Sequence, residues 1–329
     1  MKNYFASIYG NADTVSYFTA AIESGKLAHA YILEGPAGCG KRSLAKAIAY
    51  ARVKDSPHAH KIPKDQSPDV LYFGLPEKKK TVGVDTVRAL KSAVYIKPNE
   101  LDAKFFILTD CQLMTVSAQN AALKILEEPP ENVYFFLCTD SAAALLPTVR
   151  SRAQTIRMQV FTDKELAQYA KKDATWQSLA QNDPTRFSLL IRQAGGCIGK
   201  LSRDSDSSDE AMLQEKAYKV ISLMDAGEFA PMLLYCNKLA ANRSELDAIL
   251  LKTALGLRDA LAIRSGTQDT LQFFSTENEV LLATKHLTAR GMLCAVTEIE
   301  KIRSRLISNP NLKGIQILLA DTLLRTIQN

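Results

Sequence analysis

The sequence predicts an α/β domain built on a parallel sheet, followed by helical segments up to the C-terminus. Three observations support this fold class. Over the first 160 residues, short apolar runs alternate with amphipathic stretches, as they do in βαβ units. One apolar run leads directly into a glycine-rich loop and a helix. Beyond residue 211, apolar residues recur at helical spacing.

The predicted strands are short apolar runs at residues 30–34, 70–73, 105–108 and 133–137. Between the last two strands, a helical pattern runs from Ser117 to Glu127 and stops before Pro129 and Pro130. Residues 161–200 form a compact helical stretch that ends in a glycine pair. Residues 203–210 are almost entirely polar, which predicts a linker or an exposed loop before an all-helical last part.

The composition indicates a soluble protein of two or three domains. The chain has 329 residues, 47% of them apolar, and a formal net charge of +6, which permits a nucleic-acid partner without requiring one. Its six cysteines never stand in C-x-x-C spacing, so we expect reduced thiols and no thiolate zinc site. Since we find neither a signal peptide nor an apolar run of membrane-spanning length, we expect a cytoplasmic protein that does not contact membranes.

The stretch GPAGCGKRS nearly matches the phosphate-binding pattern G-x-x-x-x-G-K-[ST]. The residues of this candidate site are Gly35, Gly38, Gly40, Lys41, Arg42 and Ser43. Arg42 takes the place of the hydroxyl that would bind Mg²⁺, and a guanidinium has no acceptor to offer a metal. Ser43 follows one residue later, a rotation of about 100° on a helix, so we expect it to point away from phosphates. The alternative is an ordinary glycine turn without a ligand.

A single acid follows the third predicted strand. After residues 105–108 come Thr109 and Asp110, where a hydrolysing P-loop site usually carries both a metal-binding and a catalytic acid. With one carboxylate, both roles cannot be filled. Together with Arg42, this predicts a site that does not hydrolyse ATP, although the glycines and Lys41 would still allow ATP or ADP to bind.

A basic turn follows the fourth predicted strand and a short helix. It comprises Val149, Arg150, Ser151, Arg152 and Ala153. One interpretation is a solvated surface turn. The other is that an arginine on a rigid edge reaches the γ-phosphate bound by a neighbouring subunit.

Taken together, these motifs resemble the bacterial replicative clamp loader, a family of AAA+ proteins within DNA polymerase III. Four stretches carry the resemblance: GKLAHAY before the glycine loop, VGVDTVR at residues 82–88, NAALKILEEPP at residues 120–130, and Ser151-Arg152-Ala153. The third is similar to the N-A-L-L-K-x-L-E-E-P-P signature of the family, and the fourth to its Ser-Arg-Cys arginine-finger motif.

Departures from the family pattern point to its non-motor branch. Thr109 and Asp110 stand where motor subunits carry their metal-binding Asp and catalytic Glu, and Gly199 stands where they carry a nucleotide-sensing Arg. The zinc module with four cysteines that often follows the P-loop is missing, so no zinc is expected. Arg152, by contrast, is retained.

The resemblance implies an AAA+ P-loop domain at residues 1–160, a small helical lid at 161–207 and an all-α collar at 208–329. It implies that Arg152, with Ser151, completes the ATP site of a neighbouring gamma/tau subunit in trans, while the chain's own degenerate pocket binds ATP or ADP without hydrolysis. The other implied partners are the delta subunit, the sliding clamp and primer-template DNA, in the polymerase holoenzyme at replication forks.

Two other functions remain open at this point. One is an ATP-hydrolysing gamma/tau-type subunit or another AAA+ ATPase, against which Arg42, Asp110 and Gly199 argue. The other is a DNA-binding module without ring partners, which would bind primed DNA as a stable monomer.

Overall fold

The computed structural model describes residues 4–6, 8–76, 79–201, 208–266, 271–306 and 311–328. Most of the predicted linker, at 203–207, therefore lies outside the described residues. The chain divides into two compact units, one formed by Met1–Tyr169 with Gly195–Lys200 and the other by Ala170–Ala194 with Leu201–Asn329. The predicted division into three domains stays a prediction.

The first unit is an α/β domain around a parallel sheet. Its strands are β1 (Ala30–Glu34), β2 (Val70–Phe73), β3 (Lys104–Leu108), β4 (Val133–Thr139) and β5 (Gln154–Arg157). The order across the sheet is β2-β3-β4-β1-β5, and all pairs are parallel. The carboxyl ends of β1, β3 and β4 therefore meet at one edge, where ligands of open parallel sheets bind.

Helices cover the sheet and build the rest of the chain. They are α1 (Ala12–Glu23), α2 (Lys41–Arg52), α3 (Val84–Val94), α4 (Val116–Glu127), α5 (Pro147–Arg150), α6 (Asp163–Ala170), α7 (Ala174–Asn182), α8 (Pro184–Gln193), α9 (Ser208–Ala226), α10 (Phe229–Cys236), α11 (Arg243–Arg264), α12 (Glu277–Ala283), α13 (Ala289–Leu306) and α14 (Leu312–Gln328). In the described ranges, no helix is both long enough and apolar enough to cross a membrane.

Alternation along the central strands gives the α/β unit two apolar layers. Tyr31 and Leu33 of β1 pack with α2 on one face, whereas Ala30 and Ile32 pack with α3 and α4 on the other. Because both faces of the central strands are covered, they consist almost entirely of apolar residues. The second unit has its own core, formed largely by α9, α11, α13 and α14.

The structure confirms the predicted fold class, a parallel-sheet domain followed by a helical C-terminal part. Predicted strands 30–34 and 70–73 have the observed bounds, and β3 begins one residue earlier than predicted, at Lys104. The Lys104 ammonium is buried and donates to the carbonyl oxygens of Ala93 and Ile96, at 3.1 Å each. The fifth strand was not predicted.

Candidate functional site

A cleft of about 460 Å³ opens at the carboxyl ends of β1, β3 and β4. The glycine loop and the first turn of α2 form one side of it. Of the predicted site residues, those that line the cleft are Gly38, Gly40, Lys41, Arg42, Ser43 and Asp110. Ser151 and Arg152 are not among its described lining residues. The arginine turn therefore lies apart from the cleft, and its expected role in the site of a neighbouring subunit stays a prediction.

The loop has the backbone shape that its glycines predict. Gly38 and Gly40 adopt φ angles of +83° and +96°, which side chains other than glycine rarely tolerate. A Cβ atom added to Gly35 would lie 2.8 Å from Cys39 Sγ. Gly40 is also the N-cap of α2, so the free N–H groups at the start of this helix lie beside the cleft, as they do in anion sites.

Lys41 is held by acceptors of its own chain. Its ammonium donates to the carbonyl oxygens of Gly35 and Pro36, and it forms an ion pair with Asp140 at 2.8 Å. Asp140 directly follows β4, which lies beside β1 in the sheet. Sequence analysis missed this acid, although a carboxylate placed just after a buried strand is the signal that identified Asp110.

Arg42 contacts groups at the rim of the sheet. Its guanidinium carbon lies 4.1 Å from the centroid of the Tyr72 ring, and one terminal nitrogen lies 3.7 Å from Asp65. Burial by itself raises the pKa of Asp65, but hydrogen bonds from Tyr72 and Lys46 and the charge of Arg42 lower it more. Arg42 therefore has a structural partner set, and it supplies no metal-binding oxygen.

Further polar residues that line the cleft are Ser43 of α2 and Thr109 and Asp110, which follow β3. Ser43 is exposed and lines the cleft, and its orientation relative to a phosphate stays a prediction. Asp110 adopts a left-handed backbone, with φ of +56°, and begins a short 3-10 turn at residues 111–113. Its neighbour Thr109 is packed so tightly that a Cβ atom added to Gly74 would lie 2.1 Å from the Thr109 hydroxyl oxygen.

A short turn at residues 198–200 covers the glycine loop by direct backbone contact. The Gly199 N–H donates to the Gly38 carbonyl oxygen at 2.8 Å. A Cβ atom added to Gly199 would lie 2.9 Å from both the Cα and the carbonyl oxygen of Gly38. Gly199 therefore allows a close approach that any side chain would prevent.

Two buried thiols border the cleft. Burial raises the pKa of Cys39, and the nearby charge of Lys41 lowers it by a smaller amount. Burial likewise raises the pKa of Cys138 to about 12. Both thiols are therefore protonated at neutral pH and are poor nucleophiles there.

The arginine turn lies at the end of α5. Arg152 forms an ion pair with Glu127, at 3.1 Å, and donates to the Thr148 carbonyl oxygen at 3.0 Å. Its side chain is 30% exposed, and within the described chain its Nε has no hydrogen-bond partner. Ser151 donates to the same carbonyl of Thr148. The terminal nitrogens of the guanidinium are thus held by Glu127 and Thr148, whereas the unpartnered Nε is buried.

Gln119 of α4 connects this helix to the segment that precedes the arginine turn. Its buried amide accepts from the Leu146 N–H at 2.7 Å and donates to the carbonyl oxygens of Met114 and Ala144. These bonds fix the segment that leads into α5. Sequence analysis did not single out Gln119, since a glutamine in a helix gives no local sign that it is buried.

The residues of the cleft fit a phosphate group and do not fit a complete metal–nucleotide site. The glycine loop and the α2 N-terminus provide N–H donors, and Lys41 provides a cation. The hydroxyl for Mg²⁺ is replaced by Arg42. Among the described residues, no group of three or more His, Cys, Asp or Glu side chains is arranged to hold a metal ion.

Comparison with known proteins places these features in a family context. Residues 10–162 match the family model described as "DNA polymerase III, delta subunit". The chain is 27% identical over 317 residues to the delta' subunit of DNA polymerase III from Escherichia coli, an alignment that covers 93% of this chain and 91% of that protein.

A second relative matches a shorter part of this chain, and one solved structure aligns with most of it. The gamma/tau subunit from Mycobacterium bovis is 28% identical over 201 residues, which cover 58% of this chain and only 35% of the relative. The chain thus spans about a third of the length of that relative. A gamma subunit-related protein from Thermotoga maritima aligns with 94% of this chain and 98% of its own, at 18% identity and a TM-score of 0.45.

Proposed function

We propose that the chain belongs to the clamp-loader family of DNA polymerase III subunits and acts as a delta prime subunit, which helps to load the sliding clamp onto primed DNA. In this role it does not hydrolyse ATP. It supplies Arg152 to the ATP site of a neighbouring gamma/tau subunit. The similarity to a delta' subunit over 93% of the chain supports this choice within the family.

The proposal depends above all on the geometry of Arg152. Its guanidinium lies outside the chain's own cleft, is partly exposed, and is anchored by Thr148 and Glu127 at the end of a short helix. An arginine held this way can contact a phosphate of an adjoining subunit, and such a contact accelerates ATP hydrolysis by about 10³ to 10⁵ where it occurs. Ser151 braces the same turn.

The chain's own cleft supports a scaffold role. Arg42 contacts Tyr72 and Asp65 instead of offering a hydroxyl, and Asp110 is the lone acid after β3. The retained glycine loop and Lys41 allow ATP or ADP to bind without turnover. A subunit that only completes a neighbouring ATP site needs an intact fold but no hydrolysis of its own. The residues of this cleft are consistent with that role.

The proposed assembly is a ring with gamma/tau and delta subunits, held together by a helical collar at residues 208–329 after an AAA+ domain and a lid. Basic residues of the AAA+ domain would follow primer-template DNA through its phosphates, which makes binding independent of sequence and sensitive to salt. The complex would act in the cytoplasm at replication forks.

The test is reconstitution of the complex with Arg152→Ala. We expect the ring to assemble, because the side chain lies at the surface, and its clamp- and DNA-stimulated ATP hydrolysis to fall at least about tenfold. Gel filtration measures assembly and phosphate release measures turnover. Arg150→Ala is the matched control, because Arg150 is an exposed arginine at the end of α5, two residues before Arg152. An assembled Arg152→Ala complex with normal turnover would contradict the proposal.

The retained P-loop shape favours a second candidate, an ATP-hydrolysing gamma/tau-type subunit. This alternative predicts measurable ATP hydrolysis by the isolated chain that Lys41→Ala abolishes. The delta prime proposal predicts no such turnover.

A further inference from the structure

The ion pair between Lys41 and Asp140 lies in the chain's own cleft and involves neither Arg152 nor ring assembly. We propose that the Asp140 carboxylate is a built-in competitor for nucleotide: it occupies the ammonium of Lys41 in place of a phosphate and thereby keeps the nucleotide affinity of this cleft low. The proposal concerns the isolated chain.

The Lys41 ammonium already has an acceptor for each of its N–H groups. A lysine ammonium has three N–H donors, and here they meet the carbonyl oxygens of Gly35 and Pro36 and the carboxylate of Asp140. The lysine side chain is only 12% exposed. A phosphate that entered the glycine loop would need the same ammonium, so it would have to displace at least one of these acceptors.

Asp140 is hydrogen-bonded to Gln112 as well as paired with Lys41. Its backbone N–H donates to the Gln112 side-chain oxygen at 3.3 Å, and its carboxylate accepts from the Gln112 amide at 3.4 Å. The reciprocal pair connects the ends of β3 and β4, where both residues line the cleft. Two long hydrogen bonds to Gln112 thus help to keep the partly exposed Asp140 beside Lys41.

The negative charge of Asp140 also opposes the binding of a phosphate at Lys41. A phosphate and a carboxylate compete for one cation, and two anions at the same ammonium also repel each other. Removal of the Asp140 charge therefore acts twice in the same direction. It frees a donor of Lys41, and it lowers the electrostatic cost of bringing a diphosphate into the loop.

The experiment measures binding of fluorescent ADP to the full chain, purified free of nucleotide, in buffer without Mg²⁺. Asp140→Asn keeps the shape of the side chain and removes its charge. We expect it to bind ADP about tenfold more tightly than the unmodified chain, the size expected for loss of one competing charge-assisted hydrogen bond. Asp140→Ala is a second neutral variant and should show a gain of the same sign.

Two controls test whether the gain in ADP affinity arises from loss of the Lys41–Asp140 ion pair. Asp110→Asn removes one negative charge from the same cleft but leaves the Lys41–Asp140 pair in place, so its gain should stay below about threefold. Adding Lys41→Ala to Asp140→Asn should abolish the gain, because the proposed effect acts through the ammonium. Thermal unfolding of each variant shows that it is folded before binding is measured.

Three results would overturn the proposal. They are equal ADP affinity in Asp140→Asn and the unmodified chain, an equal gain from Asp110→Asn, and a gain that survives loss of Lys41. Undetectable binding by folded Asp140→Asn at millimolar ADP would also count against it. None of these outcomes bears on ATP turnover in the reconstituted ring, so the failure of one proposal is distinguishable from the failure of the other.

Discussion

Substitution of Gly199 by alanine tests whether the short turn at 198–200 restricts the movement of the glycine loop. The added methyl would lie 2.9 Å from two backbone atoms of Gly38, whereas ordinary van der Waals contact begins at about 3.4 Å. Both obstructing atoms belong to the backbone, so no side chain can rotate away. The turn or the loop has to move by several tenths of an ångström.

The magnitude follows from two losses. Overpacking of this kind costs about 1 to 3 kcal/mol. Separation of the two backbones also weakens the Gly199–Gly38 hydrogen bond, which contributes about 1 kcal/mol. We therefore expect the α/β unit to lose about 2 kcal/mol or more of unfolding free energy, and its melting temperature to fall by roughly 5 °C.

Calorimetry of the isolated chain measures the change in melting temperature, and hydrogen exchange of the loop amides locates it. Tryptophan fluorescence is unsuitable, because the single tryptophan of the sequence, Trp176, lies in the other unit. We expect faster exchange around Gly38 and Lys41.

Gly83→Ala provides the control for this substitution. An added Cβ there meets nothing within 4 Å, and the φ angle of −88° suits any residue. Because Gly83 is the N-cap of α3, where alanine is less favourable than glycine, its effect should stay within about 1 kcal/mol. If both variants unfold like the unmodified chain, the backbone contact at Gly199 does not constrain the loop, and the reasoning fails.

Two further predictions concern the rim of the cleft and the end of β1. Arg42→Thr loses the contacts with Tyr72 and Asp65, so we expect a loss of about 0.5 to 1 kcal/mol in urea unfolding. Phosphate release should show no ATP turnover, because Asp110 is still the lone acid after β3; a gain in turnover would show that Arg42 alone prevents hydrolysis. The Ala142 N–H and Arg157 lower the pKa of Glu34 below its ordinary 4.5, so its stabilisation is complete above that value and is lost as pH falls through the lowered folded-state pKa. Glu34→Gln should therefore lose less stability than the unmodified chain between about pH 5 and pH 3 in urea titrations, and parallel curves would contradict this.

Local patterns predicted most of the α/β unit, because its central strands are buried on both faces and consist of continuous apolar runs. The pattern failed at β5, an edge strand whose residues Gln154–Arg157 are mostly exposed and mostly polar. It also placed the start of β3 after Lys104, since a lysine is rarely buried unless its ammonium finds partners. Here the end of α3 provides them through the carbonyl oxygens of Ala93 and Ile96.

The same distinction holds at the cleft. The glycine loop was predictable because a phosphate-binding loop is a short contiguous motif. The pair between Lys41 and Asp140 joins residues 99 positions apart and depends on β1 and β4 being neighbours in the sheet. The contact of Arg42 with Tyr72 likewise requires α2 to lie near the end of β2. Neither follows from the spacing of residue types along the chain.

The contacts of Arg152 with Glu127 and Thr148 have a consequence for the entropy of association. A free arginine side chain loses up to about 2 kcal/mol of rotamer freedom when it is immobilised. In this fold much of that freedom is already given up within the single chain, since two fixed acceptors hold the guanidinium. An incoming anionic group has to displace the Glu127 carboxylate from one guanidinium nitrogen, but the hydrogen bond to the Thr148 carbonyl keeps the side chain ordered, so less of the interaction energy is spent on ordering it.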